Sequence, residues 1–209
     1  MIVLKLENTE VYGLERAIIA SGLSFRSAPK IDLTRDINDK DWKRGKALGS
    51  AESGQGHDGY LKGIVVQVDV TYPQYWTKQA QRYHFFEICM SSSAMHMLCK
   101  NAALPFEEFR KQYNDYVDDD VIKRVQEYAK QYNECTDEKK KYELFMKMQS
   151  NNPLGYELTM SVTTNYLQLK TMYNQRKHHR LKEDWGAFCD WCDTLPHFKE
   201  LTGCSRDTN

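Results

Sequence analysis

The stretch at 73–96, PQYWTKQAQRYHFFEICMSSSAMH, decides how the chain is read. Pro73 suits the first turn of a helix, where its missing N–H costs nothing. Tyr75, Trp76 and Gln79 follow at helical spacing and Arg82 comes three residues on, so Gln79 and Arg82 are expected on one face. Phe85, Phe86, Ile88, Cys89 and Met90 form an apolar run that reads as buried. Ser91, Ser92 and Ser93 come straight after it. Hydroxyls and backbone N–H groups at such a turn either cap a helix running through Met95, His96, Met97 and Leu98 or hold an anion, and capping is the commoner use.

Upstream, Leu61–Thr71 reads as a strand: Ile64, Val66, Val68 and Val70 alternate with Val65, Gln67, Asp69 and Thr71. It follows a loop, SAESGQGHDGY, in which glycines flank His57-Asp58 and let backbone approach a ligand closely. Nearer the start, residues 2–6 read as a strand, Val11–Ala20 as a helix closed by Gly22, 26–40 as a polar surface loop and Asp41–Ala51 as a short helix.

Downstream, Pro105 opens a helical block. Its charged part, 118–150, reads as an antiparallel helix pair whose acidic triplet Asp118-Asp119-Asp120 suits a helix N-terminus. The fold expected is α/β (α+β): one domain over 1–209 with a helical insertion at about 105–150. After Pro153, the stripe Leu158, Val162, Tyr166, Leu169 and Tyr173 reads as one long helix. Asn165, Leu169, Met172 and Arg176 share an adjacent face, with Asn165 and Arg176 ~16 Å apart along the axis. An Arg there either recognises phosphate or carboxylate or snorkels from the helix end beside Lys177, His178, His179 and Arg180. Trp185, Phe188, Cys189, Trp191 and Cys192 pack a final helix ended by Pro196, and the tail after Gly203 is expected to fray.

Basic and acidic residues balance at 29 each in 209 residues, so no global field points to a nucleic acid polymer or an acidic membrane. No apolar run is long enough to span a bilayer, and the N-terminal apolar run is too short for a signal peptide, so a cytoplasmic protein is expected. The six cysteines are too few for a disulfide scaffold. Cys189 and Cys192 form a lone CxxC inside a helical pattern; without a second pair or well-spaced histidines, packed cysteines are expected and no metal is assigned.

In order and spacing these stretches resemble the flavin-dependent thymidylate synthases. VYGLERAIIASGLSF is similar to the family's opening segment, and GHDGYLKGIVVQVDVTYP to its Gly-His-Glu-Ser-Pro-Phe-Glu-His loop and the strand after it. Gln79 falls on the family's Gln and Arg82 on the first Arg of its Arg-His-Arg signature, with Tyr83 and His84 replacing the other two. Residues 85–91 reproduce the seven-residue spacing that puts Ser92 on the active-site Ser. Asn165 falls on the Asn of its Asn-Ala-Arg motif and Arg176 on a nucleotide-binding Arg. Met90, Cys89, Ala94 and Leu167 depart from the signature where it has Glu, Asn, Arg and Arg.

The resemblance implies a nucleotide ligand held by Gln79, Arg82, Ser91, Ser92, Ser93, Asn165 and Arg176. It implies flavin (FAD) contacts at His57, Gly59, Tyr83 and His84, and a homo-oligomer, a tetramer. Each electrostatic stabiliser lost costs a few kcal/mol of barrier, so no residue is assigned a catalytic role. The expected function is that of a catalytically degenerate nucleotide binder that holds or sequesters its ligand; the sequence also resembles proteins of the phage and prophage type, a likeness that carries no activity with it. The alternatives are an active flavin-dependent pyrimidine nucleotide methyl- or hydroxymethyltransferase, and a ligand-free fold whose block 105–150 binds protein.

Overall fold

The structure, a computed structural model, describes residues 4–25, 32–52 and 54–206. Parts of the expected first strand (2–3), polar loop (26–31) and C-terminal tail (207–209) lie outside the described residues.

Strands β1 (Lys5–Tyr12), β2 (Val65–Pro73), β3 (Glu87–Ser91) and β4 (Glu157–Asn165) form one antiparallel sheet in the order β1-β2-β4-β3. The β2/β4 register sets Val66 opposite Thr164, Val68 opposite Val162 and Val70 opposite Met160, and all six are buried. The other face is polar. There Thr71 and Thr159 share a hydroxyl hydrogen bond of 2.8 Å and Asn8 Nδ2 donates to Asp69 Oδ2 at 2.9 Å.

Ten helices occur among the described residues: α1 (Leu14–Ala20), α2 (Asp39–Gly49), α3 (Gln74–Ala80), α4 (Ala94–Asn101), α5 (Phe106–Arg110), α6 (Asp119–Glu134), α7 (Glu138–Asn151), α8 (Tyr166–Arg176), α9 (Lys182–Thr194) and α10 (Phe198–Thr202). The apolar sheet face, α3, α8, α9 and α10 enclose the main core, where Trp76 meets Trp185 at 5.0 Å between ring centroids and Tyr166 meets Phe198 at 5.2 Å. Each such buried apolar side chain contributes about 1.5–3 kcal/mol. A second core joins α4 to the block 105–150 through Leu98, Phe109, Tyr113, Ile122, Val125, Met148 and Tyr156.

Several expectations are corrected. The long helix after Pro153 is a strand followed by a helix: β4 runs to Asn165 and α8 begins at the next residue. A spacing of four suits both periods, since it is one helical turn and twice the strand repeat; the β-branched run Val162, Thr163 and Thr164 favours the strand. Val11 lies in β1 opposite Val66, not in α1, because Gly13 at φ 74° separates the two and a Cβ there would meet Gly63 O at 2.6 Å. Residues 61–63 belong to a 3₁₀ turn (His57–Gly63) that precedes β2. Phe85 and Met90 are 52% and 76% exposed, and Cys89 is exposed too, because β3 is the sheet edge; only Phe86 of that run is buried. Pro196 is followed by a further helix, α10, and Cys204 beyond it is buried.

One buried ion pair ties the glycine-rich loop to α8. Lys170 is 3% exposed, and its Nζ donates to Asp58 Oδ2 at 2.8 Å, Gly49 O at 2.9 Å and Ala51 O at 2.7 Å. All three ammonium hydrogens are thus used, which is what lets a lysine sit in a core. Lys170→Met leaves Asp58 and two carbonyls unpaired and should cost about 3–5 kcal/mol in denaturant unfolding. Asp58→Leu in that background should recover only part, since the carbonyls stay orphaned.

Burial also acts on Glu157, at the start of β4, whose carboxyl is pushed up to about 7 from an ordinary 4.5 while Oε1 has no hydrogen-bond partner. A raised carboxyl pKa means that the unfolded chain releases this proton first, so the stabilisation is complete below the unfolded pKa and is lost as pH rises through the folded one. Urea midpoints should therefore fall between about pH 4.5 and about pH 7, and Glu157→Gln should reduce that fall.

Candidate functional site

The expected ligand residues do not gather in one place on the protomer. Gln79, Tyr83 and Arg176 do meet. Gln79 is on the last turn of α3, Tyr83 in the turn after it and Arg176 at the end of α8. Arg176 Nε donates to Tyr83 Oη at 2.7 Å and Nη1 to Gln79 Oε1 at 3.3 Å. Gln79 Oε1 also accepts Trp185 Nε1 at 3.0 Å, and Tyr83 Oη donates onward to Gln175 Oε1 at 3.0 Å. The guanidinium lies 4.8 Å from the Trp185 ring and 5.4 Å from the Tyr83 ring, within cation–π range of both. Every partner is neutral: among the described residues no carboxylate pairs with Arg176.

Beyond this knot, Arg176 lines a cleft of about 340 Å³ with Lys177, His178, His179, Lys182, Gly186 and Arg206. His179 Nδ1 accepts the Leu181 N–H at 3.1 Å, so the neutral ring carries its proton on Nε2. Burial first, then the charges of Arg176 and Arg180, hold its pKa below the usual value. On the far side of the turn, Asp184 accepts Tyr75 Oη at 3.0 Å, and burial raises its carboxyl.

The other expected residues lie elsewhere. Gln79 and Arg82 have different surroundings: Gln79 joins the Arg176 knot, while Arg82, just past the end of α3, is exposed and lines a separate cleft with Gln81, Tyr83, His84 and Glu87. Ser92 is spent on the sheet: its N–H and Oγ donate to Thr159 O at 2.8 and 3.2 Å, and its Oγ accepts Thr159 N–H at 2.9 Å. Ser93 occupies the N-cap of α4 without a side-chain cap bond, and Ser91 is exposed at the end of β3. Asn165 caps α8, accepting Gln168 N–H at 2.9 Å, which accounts for a polar residue at that point.

The flavin set is divided as well. His57 and Gly59 line a cleft of about 500 Å³ with Ser21, Leu23, Leu48 and Tyr60, and no Lys or Arg lines it among the described residues. Tyr83 is engaged by Arg176, and His84 is exposed against Phe85. On one protomer His57 and Gly59 thus lie in a different cleft from Tyr83 and His84. Trp185, His179, Lys182 and Arg206 carry the geometry of the basic cleft and were not singled out from sequence as ligand residues. The signal for Trp185 was its indole N–H, which needs a partner when buried.

Cys189 and Cys192 are buried in α9, and burial raises both thiols. The described residues hold no group of His, Cys, Asp and Glu arranged for a metal ion, and no helix among them is long and apolar enough to cross a membrane.

Compared by sequence, the chain matches no family model and no curated protein. Compared by structure, it is similar to flavin-dependent thymidylate synthase ThyX from Helicobacter pylori, solved as a complex with FAD and dUMP. The TM-score is 0.67 at 12% identity, covering 96% of this chain and 97% of that one. A second structure of the same protein with FAD and dUMP gives the same score and identity over 97% of both chains. The chain therefore has the flavin-dependent thymidylate synthase fold, and the likeness is one of backbone path.

Proposed function

We propose that this is a nucleotide-binding protein on the flavin-dependent thymidylate synthase fold, with Arg176 as its anion-recognising residue and with thymidylate synthesis lost. The observation that carries the reading is the uncompensated charge of Arg176. It is half-buried, aimed by Gln79 and Tyr83, sandwiched by Tyr83 and Trp185, and neutralised by none of them. A cation fixed this way has already lost its conformational freedom and part of its hydration, so an incoming phosphate gains charge-assisted bonds at little further cost.

Arg82, Ser91 and Ser93 join this site in a homo-oligomer, a tetramer, in which a second copy brings its Arg82 face to the Arg176 cleft. Within one protomer the two arginines line separate clefts, so the assembly completes the site. The role is to hold or sequester the nucleotide, as a protein countering a nucleotide signal would. The departures from the family signature at Cys89, Met90, Ala94 and Leu167 favour this over flavin-dependent methyl transfer.

The nucleotide in the similar structures, dUMP, is the first probe. Calorimetric titration should show binding that Arg176→Ala weakens about 10–100-fold, the usual worth of a hydrogen-bonded charge. Arg176→Lys should recover little, because an ammonium cannot make the planar contacts to Tyr83, Gln79 and Trp185. Unchanged affinity in Arg176→Ala would remove the residue from the site. A purified protein that carries the visible absorbance of oxidised flavin would overturn the degenerate reading in favour of the enzyme.

A further inference from the structure

The cleft beside Arg176 carries more positive charge than one phosphate monoester needs. Arg176, Lys182 and Arg206 are permanent cations on its described lining, and Arg176 and Lys182 have no ion-pair partner among the described residues. The other cations have partners nearby. Arg206 Nη1 pairs with Asp190 Oδ1 at 3.0 Å and its Nη2 donates to Gly186 O, while its Nε is buried without a hydrogen-bond partner. Lys177 Nζ donates to Ser205 O at 3.3 Å. Lys182 is exposed at the first residue of α9 and has no ion-pair partner among the described residues. His179, with its proton on Nε2, offers a neutral donor on the same wall.

We propose that the cleft takes a polyphosphate chain, with the phosphate nearest the Gln79–Tyr83 knot held by Arg176 and the distal end of the chain held by Lys182. This rests on the reading of Arg176 as the anion-recognising residue and extends it from a monophosphate to a nucleoside di- or triphosphate. The volume, about 340 Å³, is at the small end of the ~300–1,000 Å³ of ligand sites, which suits a compact anionic chain better than a whole dinucleotide. Three features distinguish the cleft from an ordinary solvated basic face. Its central cation is immobilised by hydrogen bonds and two rings, its walls come from α8, α9 and the segment after α10, and no carboxylate lines it among the described residues.

The test is titration calorimetry of the full chain in chelator-containing buffer with dUMP, dUTP and inorganic tripolyphosphate, repeated with Lys182→Ala. Lys182 is exposed, so this variant is expected to fold, and its melting curve checks that. The expected result is dUTP about tenfold or more tighter than dUMP, with the ratio falling towards one in Lys182→Ala and the gain lost as salt rises. Equal affinity for dUMP and dUTP would overturn the polyphosphate assignment and leave the nucleotide reading standing. Tripolyphosphate binding that depends on Lys182, with no binding of either nucleotide, would overturn the nucleotide reading and keep the anion site. Failure of all three probes to bind would end both.

Discussion

Helix α8 has little solvent face, and much of the rest of the molecule is arranged around that constraint. It leaves the sheet with no intervening loop, and its first backbone N–H is taken by Ile64 O at 3.0 Å, ahead of β2. The sheet lies on one side, α9 and α10 lie on others, and the 3₁₀ turn at His57–Gly63 covers much of what remains. The polar side chains on its enclosed faces cannot turn to water, so they call for protein partners. Gln168 accepts the Phe85 N–H, Lys170 fills three acceptors around the glycine loop, and Arg176 ends in the aromatic knot. These three contacts fix the turn after α3, the loop before β2 and the candidate site.

That enclosure explains which parts were readable from sequence. β2 was, because Val66, Val68 and Val70 face the core while Gln67 faces water, and alternation survives when one face is wet. The α6–α7 pair was, because its charged residues mark a solvated side. β4 was not. Its inward positions continue in step with those of α8, so a helical stripe could be drawn across the junction at Asn165. The run Phe85–Met90 misled for the opposite reason: apolar composition implies burial only where a partner exists, and β3 has a neighbouring strand on one side only.

The candidate site was legible in its endpoints and not in its connections. Arg176 stood out as a cation sharing a helical face with Leu169 and Met172, and Gln79 through its match to the family's Gln. Tyr83 was placed with the flavin contacts by analogy, yet its hydroxyl accepts from Arg176 and donates to Gln175. Trp185 looked like core, and it is core on the side that faces Trp76; its indole N–H is what orients Gln79. Side chains that are apolar in body and polar at the tip serve both roles, and spacing rules record only the first.

The other buried or half-buried cations of the chain sharpen the reading of Arg176. Arg35 and Arg44 both donate to Asp41, and those hydrogen bonds, Arg35's foremost, hold that carboxyl far below its usual range against the cost of burial. Lys170 has Asp58, Arg110 has Asp119 and Arg206 has Asp190. In each the charge is answered within the fold, and the pair does structural work. Arg176 is held as firmly but answered only by dipoles and ring faces, which orient a cation without cancelling it. A cation held this firmly and answered only by dipoles and rings, in a cleft whose described lining has no carboxylate, is suited to an anion from outside the chain.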